Sequence, residues 1–189
     1  MRKLTFEEIT ERRIAPDQID QVERFPIIGL LDNIRSLHNV GSIFRTSDGV
    51  RLQKLILSGI TGAPPRKEID KTALGAVETV PWEYHPDPVQ AVRKLKAEGN
   101  QIVVLEHTSK SKSYRDVQFQ FPCCLVVGNE VWGVQDEIVK EADLAIEIPM
   151  FGSKQSLNVT IAYGIVIYEI LFQFLKFEKE MFDNKALHK

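Results

Sequence analysis

The chain has 189 residues, of which 43% are hydrophobic and 26% charged, with a formal net charge of −2. Such a chain suits one domain with a real core, and it is neither disordered, repetitive nor fibrous. The charge gives no general affinity for polyanions, so a nucleic-acid partner would have to be held by local basic residues, as in Arg35–Arg51 and Arg66–Lys71.

Residues 1–26 are charged and weakly patterned, and read as a helical extension outside the core. Thr5, with Glu7 and Glu8 behind it, is a helix start. The stretch is too charged for a secretory hydrophobic region. Pro26 introduces the apolar run Ile27–Leu31, a buried strand. A helix follows from about Val40 to Gly49, with Asn39 as its cap and Ile43, Phe44 and Ser47 at helical spacing. Leu55–Leu57 is a second strand. Thr61–Pro65 holds a glycine and two prolines and reads as a loop. Ile69–Ala76 reads as a short helix ending near Gly75. Asp87 and Pro88 open a clear helix that carries Val89, Val92 and Leu95 on one face and closes at Gly99. Ile102–Leu105 and Cys123–Val127 are strands, Gln135–Ala142 a helix and Leu144–Ile148 a strand ended by Pro149. Leu157–Phe174 is a long helix, apolar almost all round. Its apolar run is interrupted by Tyr163, Glu169 and Gln173, and is too short and polar for a membrane span of about 20 apolar residues.

Strands and helices alternate, and each strand is a continuous apolar run. That pattern gives an α/β fold with a parallel sheet covered by helices on both faces. Ligands of such sheets bind beyond the carboxyl ends of the strands. The polar loops Asp32–Asn39, Glu106–Lys112, Gly128–Gly133 and Pro149–Asn158 fall there. Cys123 and Cys124 are adjacent and enter a buried strand, so they read as free thiols in a reducing cytoplasm. His38, His85, His107 and His188 are scattered without ligand spacing, and no metal site is expected.

Three segments are less generic: Asp32–Asp48, Leu125–Val134 and Ile148–Ala162. In order and spacing they resemble the three motifs of the SpoU/TrmH family of SPOUT RNA ribose 2′-O-methyltransferases. Asn39 and Arg45, six residues apart, mark the first; Gly128, Asn129 and Glu130 the second; Ser156, Leu157, Asn158 and Val159 the third. The resemblance implies a methyltransferase domain over residues 27–176, with a short tail over 177–189. It also implies a C-terminal trefoil knot, a homodimer and S-adenosylmethionine as cofactor. The substrate would be RNA, with tRNA favoured over ribosomal RNA because no further substrate-binding domain is present, and a D-loop guanosine is the acceptor that the resemblance implies. Two departures stand out. Val131 and Trp132 replace small or charged residues, and Thr160 stands where Ser is frequent.

By the same resemblance Arg45, Asn39, Glu130, Ser156 and Asn158 form the catalytic set. Arg45 acts on the 2′-hydroxyl. A free guanidinium titrates above about 12, so fixing the adjacent phosphate and favouring the developing alkoxide is the better reading than general base. Read from its neighbours alone, Arg45 would pair with Asp48. Glu130 would orient Arg45 or Asn158, and Ser156 would cap the last helix. Gly128, Ile148 and Leu157 would hold the cofactor through backbone groups, with Gly128 permitting close approach. Glu106 would accept the cofactor's ribose hydroxyls or remain a solvated carboxylate. Two other functions stay open: an RNA-binding protein without catalysis, and a Rossmann-like enzyme of other chemistry. The second predicts a glycine-rich turn after the first strand, and Leu31–Arg35 contains none.

Overall fold

The computed structural model describes residues 1–15 and 17–187. Its centre is a seven-stranded, wholly parallel sheet in the order β3-β2-β1-β6-β4-β7-β5. The strands are β1 (Phe25–Asp32), β2 (Leu52–Ser58), β3 (Trp82–His85), β4 (Gln101–Leu105), β5 (Lys112–Ser113), β6 (Cys123–Val127) and β7 (Leu144–Glu147). The helices are α1 (Phe6–Thr10), α2 (Leu37–Gly49), α3 (Lys67–Ala73), α4 (Ala76–Thr79), α5 (Pro88–Ala97), α6 (Asp136–Glu141) and α7 (Val159–Leu187).

The apolar runs are buried on both faces because each face has its own layer. Ile27, Leu31, Cys123, Leu125 and Val103 face one cluster with residues of α2, α3 and α7. Ile28, Leu30, Cys124, Val126, Ile102 and Val104 face the other, with residues of α5 and α6. The cysteines are free and fully buried, and burial pushes the Cys123 thiol up to about 12. At the middle of β1, Gly29 has no side chain because Tyr163 of α7 crosses there: a Cβ would stand 2.8 Å from the Tyr163 hydroxyl. That hydroxyl shares a buried 2.8 Å hydrogen bond with Ser47 of α2.

Thr5 and Glu8 form a reciprocal capping box at α1, an element with no buried residue. Asp87 caps α5 by accepting from the amides of Val89 and Gln90. Gly99 closes that segment with a left-handed φ of 89°.

Several boundaries differ from expectation. Helix α2 starts at Leu37 with Ser36 as its cap, so Asn39 lies inside the first turn. The expected helix over 69–76 is two, α3 and α4, separated at Leu74 and Gly75, which both adopt left-handed φ. The edge strands β3 and β5 were not foreseen. Residues 177–187 are the continuation of α7 rather than a tail. The stretch Val159–Lys179 is long and apolar enough to cross a membrane by length and composition, contrary to the expectation. It is nevertheless a core helix, since Tyr163, Val166, Ile167 and Ile170 have no exposed surface. Its apolar character is two-sided. Ile161, Tyr168, Phe172, Leu175 and Phe177 of the same helix are exposed.

Candidate active site

The carboxyl ends of the adjacent strands β6, β4 and β7 open onto a cavity of about 420 Å³. Glu106 follows β4, Gly128 follows β6 and Ile148 follows β7, and all three line it. The segment leading into α7 closes the other side with Ser156, Leu157 and Asn158. A second, more open cavity of about 370 Å³ is lined by Arg35, Ser36, Asn39 and Glu130. Glu130 lines both and forms the partition.

The partition is held by hydrogen bonds from the start of α2. Glu130 Oε2 accepts from the Arg35 amide at 2.9 Å, and Oε1 from the Ser36 amide at 3.1 Å and Asn39 Nδ2 at 2.8 Å. Partial burial disfavours the charged carboxylate, but the donors from Arg35, Asn39 and Ser36 outweigh it and hold its pKa below the ordinary value. Capping by Ser36, whose hydroxyl accepts from the Asn39 amide, leaves the Asn39 carboxamide free for this contact. Asn39 Oδ1 in turn lies 3.4 Å from Asn158 Nδ2, and Asn158 Oδ1 accepts from the amide and hydroxyl of Thr160. The chain Glu130–Asn39–Asn158 therefore links all three sequence motifs.

The glycine turn after β6 is built as tightly. Asn129 and Gly133 exchange two backbone bonds, and Asn129 Oδ1 accepts from the amides of Val131 and Trp132. A Cβ on Gly128 would overlap the backbone of Gly133 and Val134, so this glycine is required by the chain's own packing. Glu106 accepts from the amides of His107 and Val134, both at 2.8 Å, which aims its carboxylate into the cavity wall.

Some expected roles are corrected. Asn39 does not cap α2. Ser156 is exposed and does not cap α7; Asn158 accepts the first-turn amide instead. Glu130 touches neither Arg45 nor, except through Asn39, Asn158. Arg45 lines neither cavity and does not pair with Asp48, which accepts from Thr79. Six residues place Arg45 about 120° around α2 from Asn39, and roughly 9 Å further along. It is exposed, with no ion pair among the described residues.

Three residues have roles that the sequence motifs did not assign. Asp32, fully buried at the end of β1, accepts from the Gln135 amide, Gln135 Nε2 and Asn33 Nδ2, joining the first motif to α6. Burial raises its pKa against those donors. Asn129 ties the second motif to the Asn33 carbonyl at 2.8 Å. His107, on the cavity wall, reaches Glu147 at 3.2 Å and the Gln155 carbonyl at 3.1 Å. The sequence signals for Asp32 were a charged residue closing an apolar strand and its place at the head of the first motif. Among the described residues no group of three or more His, Cys, Asp or Glu side chains is placed to hold a metal ion.

A parallel α/β sheet with a cavity at its carboxyl edge, walled by three polar motifs, defines a ligand-binding α/β domain. The sequence pattern of the SpoU rRNA Methylase family matches residues 26–168, and the chain belongs to that family. It is 38% identical over 161 residues to the tRNA (guanosine(18)-2′-O)-methyltransferase of Aquifex aeolicus, covering 85% of this chain and 75% of the relative. The solved structure of the A. aeolicus TrmH/SpoU tRNA modifying enzyme superposes with a TM-score of 0.77 at 36% identity, over 89% of this chain and 85% of that one. The SpoU methyltransferase AviRb from Streptomyces viridochromogenes, solved in complex with AdoMet, gives 0.74 at 25% identity, over 85% and 64%.

Proposed function

We propose that this protein is an S-adenosylmethionine-dependent RNA ribose 2′-O-methyltransferase acting on a guanosine of tRNA. The observation that carries it is the Glu130 partition, which sets a deep cavity for the cofactor beside an open one for the acceptor nucleotide. The deep cavity suits the cofactor. Backbone groups flank Gly128, Ile148 and Leu157, and the Glu106 carboxylate is placed to accept hydroxyl donors. Bound there, S-adenosylmethionine would supply an electrophilic methyl carbon.

The chain's own task is to present a weakly acidic hydroxyl in line with that carbon. Alignment can remove roughly 7–11 kcal/mol of a barrier in ideal cases. Glu130 fixes the Asn39 carboxamide, and Asn39 and Asn158 then hold the ribose. Ser156, exposed on the wall, offers a hydroxyl to the same nucleotide. Arg45 fixes a phosphate and favours the developing alkoxide.

Arg45 does this, in our reading, for the site of a second copy. It shares a face of α2 with Gly49, whose added Cβ would stand 2.9 Å from the Tyr168 hydroxyl. Arg45 thus borders the exposed apolar side of α7, where Ile161 and Phe172 are 55% and 62% exposed. A homodimer packed on that side would cover the stripe and carry Arg45 to the partner's acceptor cavity. The trefoil knot is the remaining part of this reading. Residues 106–121 hold the chain end at two places: His107 bonds the Gln155 carbonyl, while Phe119 and Val117 bond the side chain of Gln173.

The test is transfer of labelled methyl from S-adenosylmethionine to unmodified tRNA and, separately, to ribosomal RNA, with Arg45→Ala as control. Label at an alkali-resistant dinucleotide of tRNA, lost in the variant, is the expected result. Label in ribosomal RNA alone would keep the chemistry and overturn the substrate. No label in either would overturn the reading.

A further inference from the structure

The turn after β6 carries an unusual passenger. Trp132 is 85% exposed, and among the described residues its ring has no aromatic contact and its indole N–H no hydrogen bond. An isolated indole in water is an unfavourable surface for a free protein, and large aromatics in such positions are typical contact groups. The backbone beneath it is rigidly fixed. Asn129 Oδ1 accepts from the Trp132 amide at 3.1 Å and from the Val131 amide at 2.9 Å. Gly133, at φ 69°, closes the turn onto Asn129. The ring is therefore presented by a preorganised turn, which lowers the entropy lost when something docks on it.

Its position is at the rim of the site. Val131 and Gly133, on either side of it in the chain, both line the deep cavity, and Glu130 lines both cavities. Trp132 itself lines neither cavity, but its two chain neighbours put its backbone at the edge of the deep one. Phe151, next to Met150 of the deep cavity in the chain, is a second exposed aromatic.

We propose that Trp132 is a stacking platform for the base of the nucleotide being methylated, and hence a substrate-positioning residue. The inference rests on the RNA methyltransferase reading above. An aromatic face beside a polar ribose site matches single-stranded RNA, whose unstacked bases pair with aromatic side chains. Stacking of this kind is tolerant of base identity, so Trp132 would orient the nucleotide without choosing it.

The experiment uses the full chain and a tRNA found to be methylated by it. Methyl transfer is measured for Trp132→Ala, Trp132→Leu and Trp132→Phe. Indole emission is followed in a Trp82→Phe background during RNA titration, and sedimentation reports the oligomeric state. The expected result is a KM for RNA raised about tenfold or more in the Ala and Leu variants. The Phe variant retains most of the function, S-adenosylmethionine affinity is unchanged, and RNA quenches Trp132 emission. Wild-type behaviour of Trp132→Leu would overturn the proposal, because it would show bulk rather than a π-face at work. So would unchanged emission at saturating RNA. Loss of the oligomer in Trp132→Ala would reassign the ring to a protein interface. If wild-type protein methylates no RNA, the enzyme reading fails, and the titration with bulk tRNA still decides whether the indole meets a base.

Discussion

Gly128→Ala separates two explanations for the same glycine. If the residue is small so that the cofactor can approach, the substitution weakens cofactor binding and leaves the free protein intact. The structure places a different neighbour against it, the backbone of Gly133 and Val134. Backbone cannot rotate away as a side chain can, so the turn must move. Three hydrogen bonds depend on its position: Asn129 amide to Gly133 carbonyl at 3.0 Å, Gly133 amide to Asn129 carbonyl at 2.9 Å, and Val134 amide to Glu106 at 2.8 Å. Two neutral bonds at about 1 kcal/mol each and one to a carboxylate at about 1.5–3 give a loss of roughly 3–5 kcal/mol. For a chain of this size, that lowers Tm by roughly 6–20 °C. Thermal unfolding without ligand, beside calorimetric titration with S-adenosylmethionine, measures both quantities. A ligand-free Tm within a degree or two of wild type, with cofactor affinity lost, would refute the packing argument and restore the cofactor-approach explanation.

Two further outcomes follow from buried or oriented polar groups. Tyr163→Phe should cost about 1–3 kcal/mol in chemical unfolding, because it leaves the buried Ser47 hydroxyl without that partner. The double variant with Ser47→Ala should cost less than the sum of the single changes. Glu130 has a folded pKa below its ordinary 4.5, so its hydrogen bonds add stability that is present above that pH and lost as pH falls through the depressed folded value. Glu130→Gln should flatten that part of the acid limb of the stability curve, and an unchanged limb would show that the donors from α2 do not favour the charged form.

The apolar runs were enough to read the central sheet, because the middles of β1, β4 and β6 are packed on both faces and no alternation dilutes the pattern. The edges fail that condition. Trp82–His85 pairs on one side only and keeps Tyr84 exposed, and Lys112–Ser113 is two residues long, so neither carries an apolar run. The caps were misplaced where two suitable side chains lie close together. Ser36 and Asn39 both fit the start of α2, as Ser156 and Asn158 both fit α7. Tertiary partners decide these cases: Glu130, some ninety residues away, draws the Asn39 carboxamide off the helix end. Motif resemblance named Asn39, Glu130, Asn158, Ser156, Gly128, Ile148 and Leu157, which line the two cavities, while Glu106 was named only from its place at a strand end. It included Asp32 at the head of the first motif but gave it no role, since its partner Gln135 lies 103 positions on, and it did not say that Arg45 lines neither cavity of its own chain.

The adjacent pair Cys123 and Cys124 has a practical consequence. They point to opposite faces of β6, so one thiol is sealed by the α7 layer and the other by the α5–α6 layer. Only the thiolate is alkylated, and burial holds both thiols protonated. Each will be modified only when its own cover lifts. The chain therefore carries two built-in clocks, one residue apart, and their separate labelling rates time how often each side of the molecule opens.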